Sequence, residues 1–93
     1  MCLTKTKSAE VFIKNRLGLH ARAAAQLVRA AGAYNADIRL IKNGKAANAR
    51  SVMSLISLDC VYDTRVIIEA EGDDAPMALQ TLVHIIEDRF GEE

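Results

Sequence analysis

A histidine and an arginine stand two residues apart in the segment Gly18-Leu19-His20-Ala21-Arg22, where an alanine-rich stretch that predicts a helix begins. The first N–H groups of a helix have no intrahelical partner, and the helix dipole places partial positive charge there. Such a helix start binds anions, and here it would also contain a nucleophilic imidazole. Because a helix N-terminus favours the neutral ring, which can attack phosphorus, the pattern predicts a histidine that accepts and releases a phosphoryl group.

The residues around His20 each have a predicted part in this chemistry. Arg22 offers a permanent charge and a planar fork for phosphate oxygens. The backbone N–H groups of Ala21, Arg22 and Ala23 would bind the phosphoryl group, and Gly18 would allow the loop to turn sharply or to approach the incoming group closely. The alternative is that His20 is an ordinary polar loop residue and Arg22 a solvated helix residue, because the H-x-R spacing is common.

Length and charge restrict the possible classes of protein. The 93 residues make one small domain, with 12 basic and 12 acidic residues. A net charge of zero argues against nucleic-acid binding through a general basic field. Basic residues dominate the segment 5–45 and acidic ones the segment 69–93, so a positive face near His20 would suit an acidic protein partner.

Other classes of site and location are also disfavoured by the sequence. No apolar run reaches the ~18–20 residues of a membrane helix, and residues 1–8 lack the apolar stretch of a signal peptide, so we expect a cytoplasmic protein. Cys2 and Cys60 give no zinc spacing and are expected to be free thiols. No metal and no cofactor are predicted.

Hydrophobic periodicity predicts the order β-α-β-β-α-β-α. Strands are expected at 9–14, 36–42, 45–49 and 64–71, and helices at 21–33, 51–58 and from about 74 onwards. Asn43-Gly44 predicts a type I′ hairpin turn, and Asp74 is expected to cap the last helix. The one-sided strands favour a two-layer α+β domain with an antiparallel sheet.

Two segments of the chain resemble a known family. Residues 15–25 (Asn-Arg-Leu-Gly-Leu-His-Ala-Arg-Ala-Ala-Ala) are similar to the active-site signature of HPr, the histidine-containing phosphocarrier of the bacterial phosphotransferase system, and residues 48–55 to its regulatory serine segment. Asn43-Gly44-Lys45 and residues 69–72 stand where the family has its hairpin turn and the exit of its last strand. The resemblance covers residues 9–91, and residues 1–8 are taken as an N-terminal tail.

The resemblance implies an HPr-like open-faced β-sandwich, with a four-stranded antiparallel sheet and three helices on one face. It also implies a phosphocarrier, not a stand-alone enzyme. We expect the protein to be a monomer. His20 would take phosphate at Nδ1 from phospho-Enzyme I and pass it to EIIA-type domains, with the help of Arg22. Ser51 would be the target of an HPr kinase/phosphorylase. The family usually has proline at the position of Ala23, and alanine restores a backbone N–H there.

The roles of several other residues have alternatives. Ser51 is a natural helix N-cap, so it could be structural without being modified. The family suggests that Val52, Met53 and Ile56 contribute to a docking patch. Met53 is expected to be the most exposed, because it lies outside the inward stripe of Val52, Leu55 and Ile56. Arg29 either extends the positive face or is merely solvated. His84 is expected at the surface.

Two other functional classes are alternatives to the phosphocarrier. One is an HPr-like regulatory protein of a nitrogen or carbon signalling phosphorelay that acts mainly by protein binding; the presence of His20 argues against a purely regulatory role. The other is a domain that binds a small molecule, for which no residues suggest a pocket.

Overall fold

The computed structural model describes residues 6–92. Four strands form one antiparallel sheet in the spatial order β1-β4-β2-β3, and three helices pack with it. The elements in chain order are β1 (Thr6–Phe12), α1 (Ala21–Ala31), β2 (Asp37–Lys42), β3 (Lys45–Asn48), α2 (Val52–Ile56), β4 (Arg65–Glu71), α3 (Ala75–Glu87) and a 3₁₀ turn (Arg89–Gly91). The predicted order and the antiparallel α+β architecture are confirmed. β1 begins at Thr6, so residues 6–8, which the sequence analysis assigned to the tail, belong to the sheet.

Alternation along the strands separates a buried face from an exposed one. Val11 pairs with Val66, and Leu40 pairs with Ile68, and all four side chains are buried. The helices cover this face, and the core is aliphatic, as the scarcity of aromatic residues predicts. On the opposite face Arg39 donates to Glu69 at 2.6 Å.

The hairpin between β2 and β3 has the predicted turn. Asn43 and Gly44 both have positive φ, at 51° and 80°, which is what a type I′ turn requires. Lys42 and Lys45 face each other directly across it. The weak strand propensity of the alanines in β3 is therefore overcome by the turn and by pairing with β2.

Helix α1 ends two residues earlier than predicted. Gly32 is its C-cap, with a right-handed φ of −66°. The side chain of Arg50 binds carbonyl oxygens at this end of the helix and in the loop after it. The guanidinium of Arg50 donates from Nη2 to the carbonyl oxygens of Tyr34 at 2.6 Å and Ala36 at 2.9 Å, and to that of Ala31 at 3.3 Å. Positive charge at a helix C-terminus is favourable, so Arg50 joins α1, the following loop and the start of α2.

The N-terminus of α3 differs from the prediction. Asp74 is the residue before the helix, but its carboxylate makes no capping bond to α3. Instead its Oδ2 accepts a hydrogen bond from the backbone N–H of Asn35 at 2.7 Å, because the loop after α1 passes beside it. The helix also turns a different face to the sheet: Ala75 and Ala78 are buried, together with the predicted Leu82 and Ile86, whereas the predicted Leu79 and Val83 are only half-buried. The buried face of α3 therefore includes two small residues, Ala75 and Ala78.

Candidate functional site

The loop before His20 is held by backbone bonds to the segment before β4. The N–H of Ile13 donates to Thr64 O at 3.0 Å, and the N–H of Asp63 donates to Ile13 O at 2.6 Å. Further along, the N–H of Leu19 donates to Cys60 O at 2.8 Å. These bonds hold the loop at both ends, so that His20 lies at the start of α1.

Glycine is the one residue type that this loop can accept at position 18. Its φ is +70°, and a Cβ built there would lie 2.5 Å from Cys60 O and 3.0 Å from the Cα of Val61. L-residues with side chains avoid this backbone region, and the contact with backbone atoms cannot be relieved by rotating a side chain. The predicted sharp turn at Gly18 is therefore confirmed, and the close approach found here is to the backbone of Cys60 and Val61. A close approach of Gly18 to an incoming phosphoryl group stays a prediction.

His20 is the N-cap residue of α1, as the sequence predicts. Its backbone is extended, and its carbonyl accepts the first helical bond, from the N–H of Ala24 at 2.8 Å. Within residues 6–92, the three preceding N–H groups, of residues 21–23, have no backbone acceptor. Ala21 and Arg22 are exposed, whereas Ala23 is completely buried. The positive pole of the helix is thus presented beside the imidazole by two exposed residues.

The imidazole is bound by an acidic side chain that is remote in the sequence. Nε2 of His20 lies 2.6 Å from Oε2 of Glu92, with the two side chains 25% and 16% exposed. The other carboxylate oxygen, Oε1, accepts a hydrogen bond from Nδ2 of Asn15 at 3.0 Å. Asn15 is fully buried, and the same nitrogen donates to Gly18 O at 2.7 Å. Asn15 therefore connects the glycine turn, the carboxylate and the histidine.

The turn after α3 places Glu92 at this point. The ring of Phe90 is buried in the core, and its carbonyl accepts a hydrogen bond from Nε2 of Gln26 on α1 at 3.0 Å. The N–H of Glu92 closes the turn on Arg89 O at 2.8 Å. Arg89 and Phe90 both have positive φ, at 57° and 55°. The buried ring and the glutamine together return the chain to the N-terminus of α1.

The charges around Glu92 favour its ionised form. The hydrogen bond from Asn15 lowers the pKa of the Glu92 carboxyl the most, followed by the hydrogen bond and charge of His20 and then the charge of Arg22, while partial burial opposes them. Glu92 is therefore a carboxylate at neutral pH. Arg22 acts on it only through its charge, and the side chain is exposed beside the site.

The predicted docking residues lie on α1 and α2, which pack against each other. Met53 is 75% exposed, as predicted, while Val52 and Ile56 are half-buried and Arg29 is exposed. Leu17, in the loop before His20, is 72% exposed and was not predicted.

Ser51 occupies the predicted N-cap position of α2. Its Oγ accepts a hydrogen bond from the N–H of Ser54 at 3.2 Å, and the residue is half-buried. The structural role is confirmed, whereas modification of Ser51 stays a prediction.

The remaining candidate groups lie away from His20 or have no reactive setting. His84 is exposed on α3, as predicted. Cys60 is a free, buried thiol, and burial raises its pKa; Cys2 lies outside the described residues. Within residues 6–92 no cluster of three or more His, Cys, Asp or Glu side chains could hold a metal ion. None of the helices in that range is long and apolar enough to span a membrane.

Asn15 and Glu92 are the site residues that the sequence analysis missed. Asn15 stands inside the quoted motif, but nothing in its spacing indicates that it is buried and bonded to a carboxylate. Glu92 lies 72 residues from His20 in a segment that gave only an excess of negative charge. The contact depends on the positive-φ turn at Arg89-Phe90, for which the sequence carries no familiar signal.

Comparison with known proteins shows similarity over most of the chain. Residues 7–88 match the family model described as "PTS HPr component phosphorylation site". The chain is 38% identical over 80 residues to a phosphocarrier protein HPr of Cupriavidus necator, covering 86% of this chain and 90% of that protein. It is 35% identical over 83 residues to a phosphocarrier protein NPr of Shewanella violacea, covering 89% and 91%.

Solved structures show the same fold. The crystal structure of HPr-C-His from Thermoanaerobacter tengcongensis superposes with a TM-score of 0.89 at 42% identity, covering 94% of this chain and 98% of that one. The open-faced sandwich that the resemblance implies is thereby confirmed. The match of the family model over most of the chain, together with these relatives, shows that the chain belongs to the HPr family of phosphocarrier proteins of the phosphotransferase system.

Proposed function

We propose that this protein accepts a phosphoryl group on Nδ1 of His20 from phospho-Enzyme I and passes it to EIIA-type proteins. The observation that carries this proposal is the placement of a partly exposed imidazole at the N-cap of α1, with its Nε2 bonded to Glu92. That bond leaves Nδ1 as the nitrogen available to phosphorus. The protein transfers the group between partners and is not a stand-alone enzyme.

The phosphoryl oxygens would be bound by the start of α1. The N–H groups of Ala21 and Arg22 belong to exposed residues, and the Arg22 guanidinium adds a permanent charge. The N–H of Ala23, also predicted to take part, would be reached only by a shift of the first turn, since Ala23 is completely buried. At an exposed helix end the dipole contributes about 0.3–1 kcal/mol. This modest value suits a carrier that must release its group.

Phosphorylation by Enzyme I and labelled phosphoenolpyruvate tests this function. Acid-labile label is expected on the wild type and absent from H20A. The matched control is H84A, which removes the only other histidine, exposed on α3. Label that survives H20A but disappears in H84A, or no label with an Enzyme I that phosphorylates another carrier, would refute the proposal.

We propose that Arg29, Val52, Met53 and Ile56 form the docking patch for both partners. The large exposed side chain of Met53 supports this, because a flexible thioether adapts to different surfaces. The variant M53D should raise the KM for Enzyme I, whereas M77D, at a methionine 63% exposed on α3, should not. Equal effects of the two variants would exclude the patch.

Ser51 is proposed as a regulatory phosphorylation site of an HPr kinase/phosphorylase. Its position two residues before Met53 in the sequence supports an effect on docking, because phosphorylation adds about −1.5 to −2 charges there. Acid-stable label from ATP and the kinase is expected on the wild type and absent from S51A. Label that persists in S51A would assign the modification elsewhere.

A second candidate function is regulation in a nitrogen or carbon signalling phosphorelay, acting mainly by protein binding. The similarity to the NPr of Shewanella violacea favours it. It predicts that a regulatory target binds H20A as tightly as the wild type, whereas a phosphocarrier requires His20. In either case we expect the protein to be cytoplasmic. We also expect a monomer, and sedimentation can test this oligomeric state.

A further inference from the structure

The carboxylate of Glu92 makes two directed contacts that fix its orientation. Oε2 faces Nε2 of His20 at 2.6 Å, and Oε1 accepts from Nδ2 of Asn15 at 3.0 Å. Asn15 is fully buried, and the orientation of its amide is set by its surroundings. Rotating the amide by 180° would place Oδ1 against two oxygen acceptors, Glu92 Oε1 and Gly18 O. Asn15 therefore donates to Glu92 and holds it towards the imidazole.

Among residues 6–92, this orientation of the Asn15 amide leaves its oxygen without a hydrogen bond. Its Oδ1 is buried with no hydrogen-bond partner in the part of the chain that the structure describes. An unpaired buried acceptor is unfavourable and rare in folded proteins. The amide nitrogen nevertheless serves both the turn at Gly18 and the carboxylate of Glu92.

The contact with Glu92 also determines which nitrogen of His20 carries the proton. An ionised carboxylate can only accept hydrogen bonds, so Nε2 must be the donor. In the neutral ring the lone pair then lies on Nδ1. The arrangement resembles in its logic the carboxylate that orients a catalytic histidine in a hydrolase triad, where the acid fixes the tautomer and stabilises the imidazolium.

We propose that Glu92 is a positioning residue for phosphoryl transfer, which holds Nε2–H of His20 so that Nδ1 is the nucleophile, with Asn15 orienting Glu92. This inference rests on the proposed phosphocarrier function. In the transfer step the lone pair of Nδ1 forms a bond to phosphorus, while the bond from phosphorus to the donor breaks and its electron pair leaves with the donor. Nε2 keeps its proton throughout. The ring gains a positive charge, which the carboxylate of Glu92 balances.

The test compares E92Q and E92A with E87Q, a matched control at an exposed glutamate on α3. The imidazole 15N shifts of uniformly labelled protein report the tautomer without any partner. In the wild type Nε2 should be the protonated nitrogen, and in E92A the shifts should move towards the average of an unrestrained ring. Circular dichroism checks that each variant is folded.

Kinetics with phospho-Enzyme I provide the second measurement. E92Q keeps the shape of the side chain and removes its charge, so we expect the transfer rate constant to fall by about 10-fold, the loss of one partly shielded charge-assisted bond. The KM should stay constant, and E87Q should match the wild type. A merely structural role for Glu92 would not move the 15N shifts of a folded variant.

The possible results distinguish a failure of the positioning role from a failure of the proposed phosphocarrier function. If the wild type accepts phosphate and E92Q accepts it at the same rate, or if the 15N shifts of E92A equal those of the wild type, the positioning role is refuted and the carrier stands. If the wild type accepts no phosphate from a competent donor, the proposed function fails, and the positioning role for transfer fails with it.

Discussion

Replacing Gly18 by alanine should damage both the stability of the fold and the transfer of phosphate. The new Cβ would lie 2.5 Å from Cys60 O, and the backbone would have to separate by about 0.5 Å to bring this contact to 3.0 Å. A shift of that size along the neighbouring hydrogen bond would lengthen Leu19 N to Cys60 O from 2.8 Å to about 3.3 Å, where the bond is weak. Because His20 follows Leu19 directly, its imidazole would move relative to Glu92.

The free energy of unfolding should fall through two separate effects. A left-handed backbone costs an alanine about 1–2 kcal/mol, and the weakened bond costs about 0.5–1.5 kcal/mol. Gly44 provides a matched control, because its φ is +80° and an added Cβ meets no atom of residues 6–92 within 4 Å. G44A should therefore show only the conformational cost. The entropy that alanine removes from the unfolded chain is common to both variants and cancels in the comparison.

Urea denaturation and phosphorylation kinetics measure the two consequences. G18A should be less stable than G44A by about 1 kcal/mol, which corresponds to a Tm lower by about 4–8 °C for a domain of this size. G44A should accept phosphate at the wild-type rate, and G18A more slowly. If the two variants had equal stabilities and equal rates, the close contact between Gly18 and Cys60 would not be needed to position His20.

Three further predictions follow from particular contacts. R50M should lower the free energy of unfolding by about 1–2 kcal/mol, because three carbonyl oxygens, one at the end of α1 and two in the loop after it, lose a charged donor, and amide exchange should accelerate there; unchanged exchange would contradict this. S51A should cost about 1 kcal/mol in urea denaturation, through loss of the cap on Ser54 N, whereas S51N, which can still cap, should cost much less. The pKa of Glu92 is lowered in the folded state, chiefly by Asn15, so its stabilising effect should be present above its ordinary value of 4.5 and disappear as the pH falls through the lower folded pKa. The stability difference between wild type and E92Q measured against pH checks this, and a difference that grows on acidification would refute it.

Much of the architecture could be predicted because local patterns determine it. The strand over residues 64–71 alternates apolar and polar residues, and Val66, Ile68 and Ala70 are all buried as expected. The turn at Asn43-Gly44 follows from the backbone that those two residues tolerate. In the candidate site, His20 and Gly18 were predicted for the same reason, since a helix start and a tight turn are properties of adjacent residues.

Features that depend on tertiary packing were predicted less well. Asp74 has the side chain of an N-cap, but it serves the backbone of Asn35 on a neighbouring loop. On α3 the larger Leu79 is expected in the core, whereas Ala78 is buried and Leu79 only half-buried, because the helix turns its small residues towards the sheet. In both cases the sequence shows which residues could cap the helix or be buried. Packing against a neighbouring element determines which of them do so.

Glu92 is the clearest example of this limit, and it also explains how the site is assembled. Its carboxylate reaches His20 only because Phe90 is buried in the core and Gln26 of α1 bonds the carbonyl of that residue. The same helix therefore presents its N-terminus to the phosphoryl group and anchors the turn that brings the carboxylate. Any change that loosens Phe90 should move Glu92 away from Nε2 while leaving His20 at its helix. Phosphoryl transfer should then depend on the packing of Phe90, which is remote from His20 in the sequence. F90A should lower the transfer rate constant with phospho-Enzyme I as E92Q does, even where the residues around His20 are unchanged.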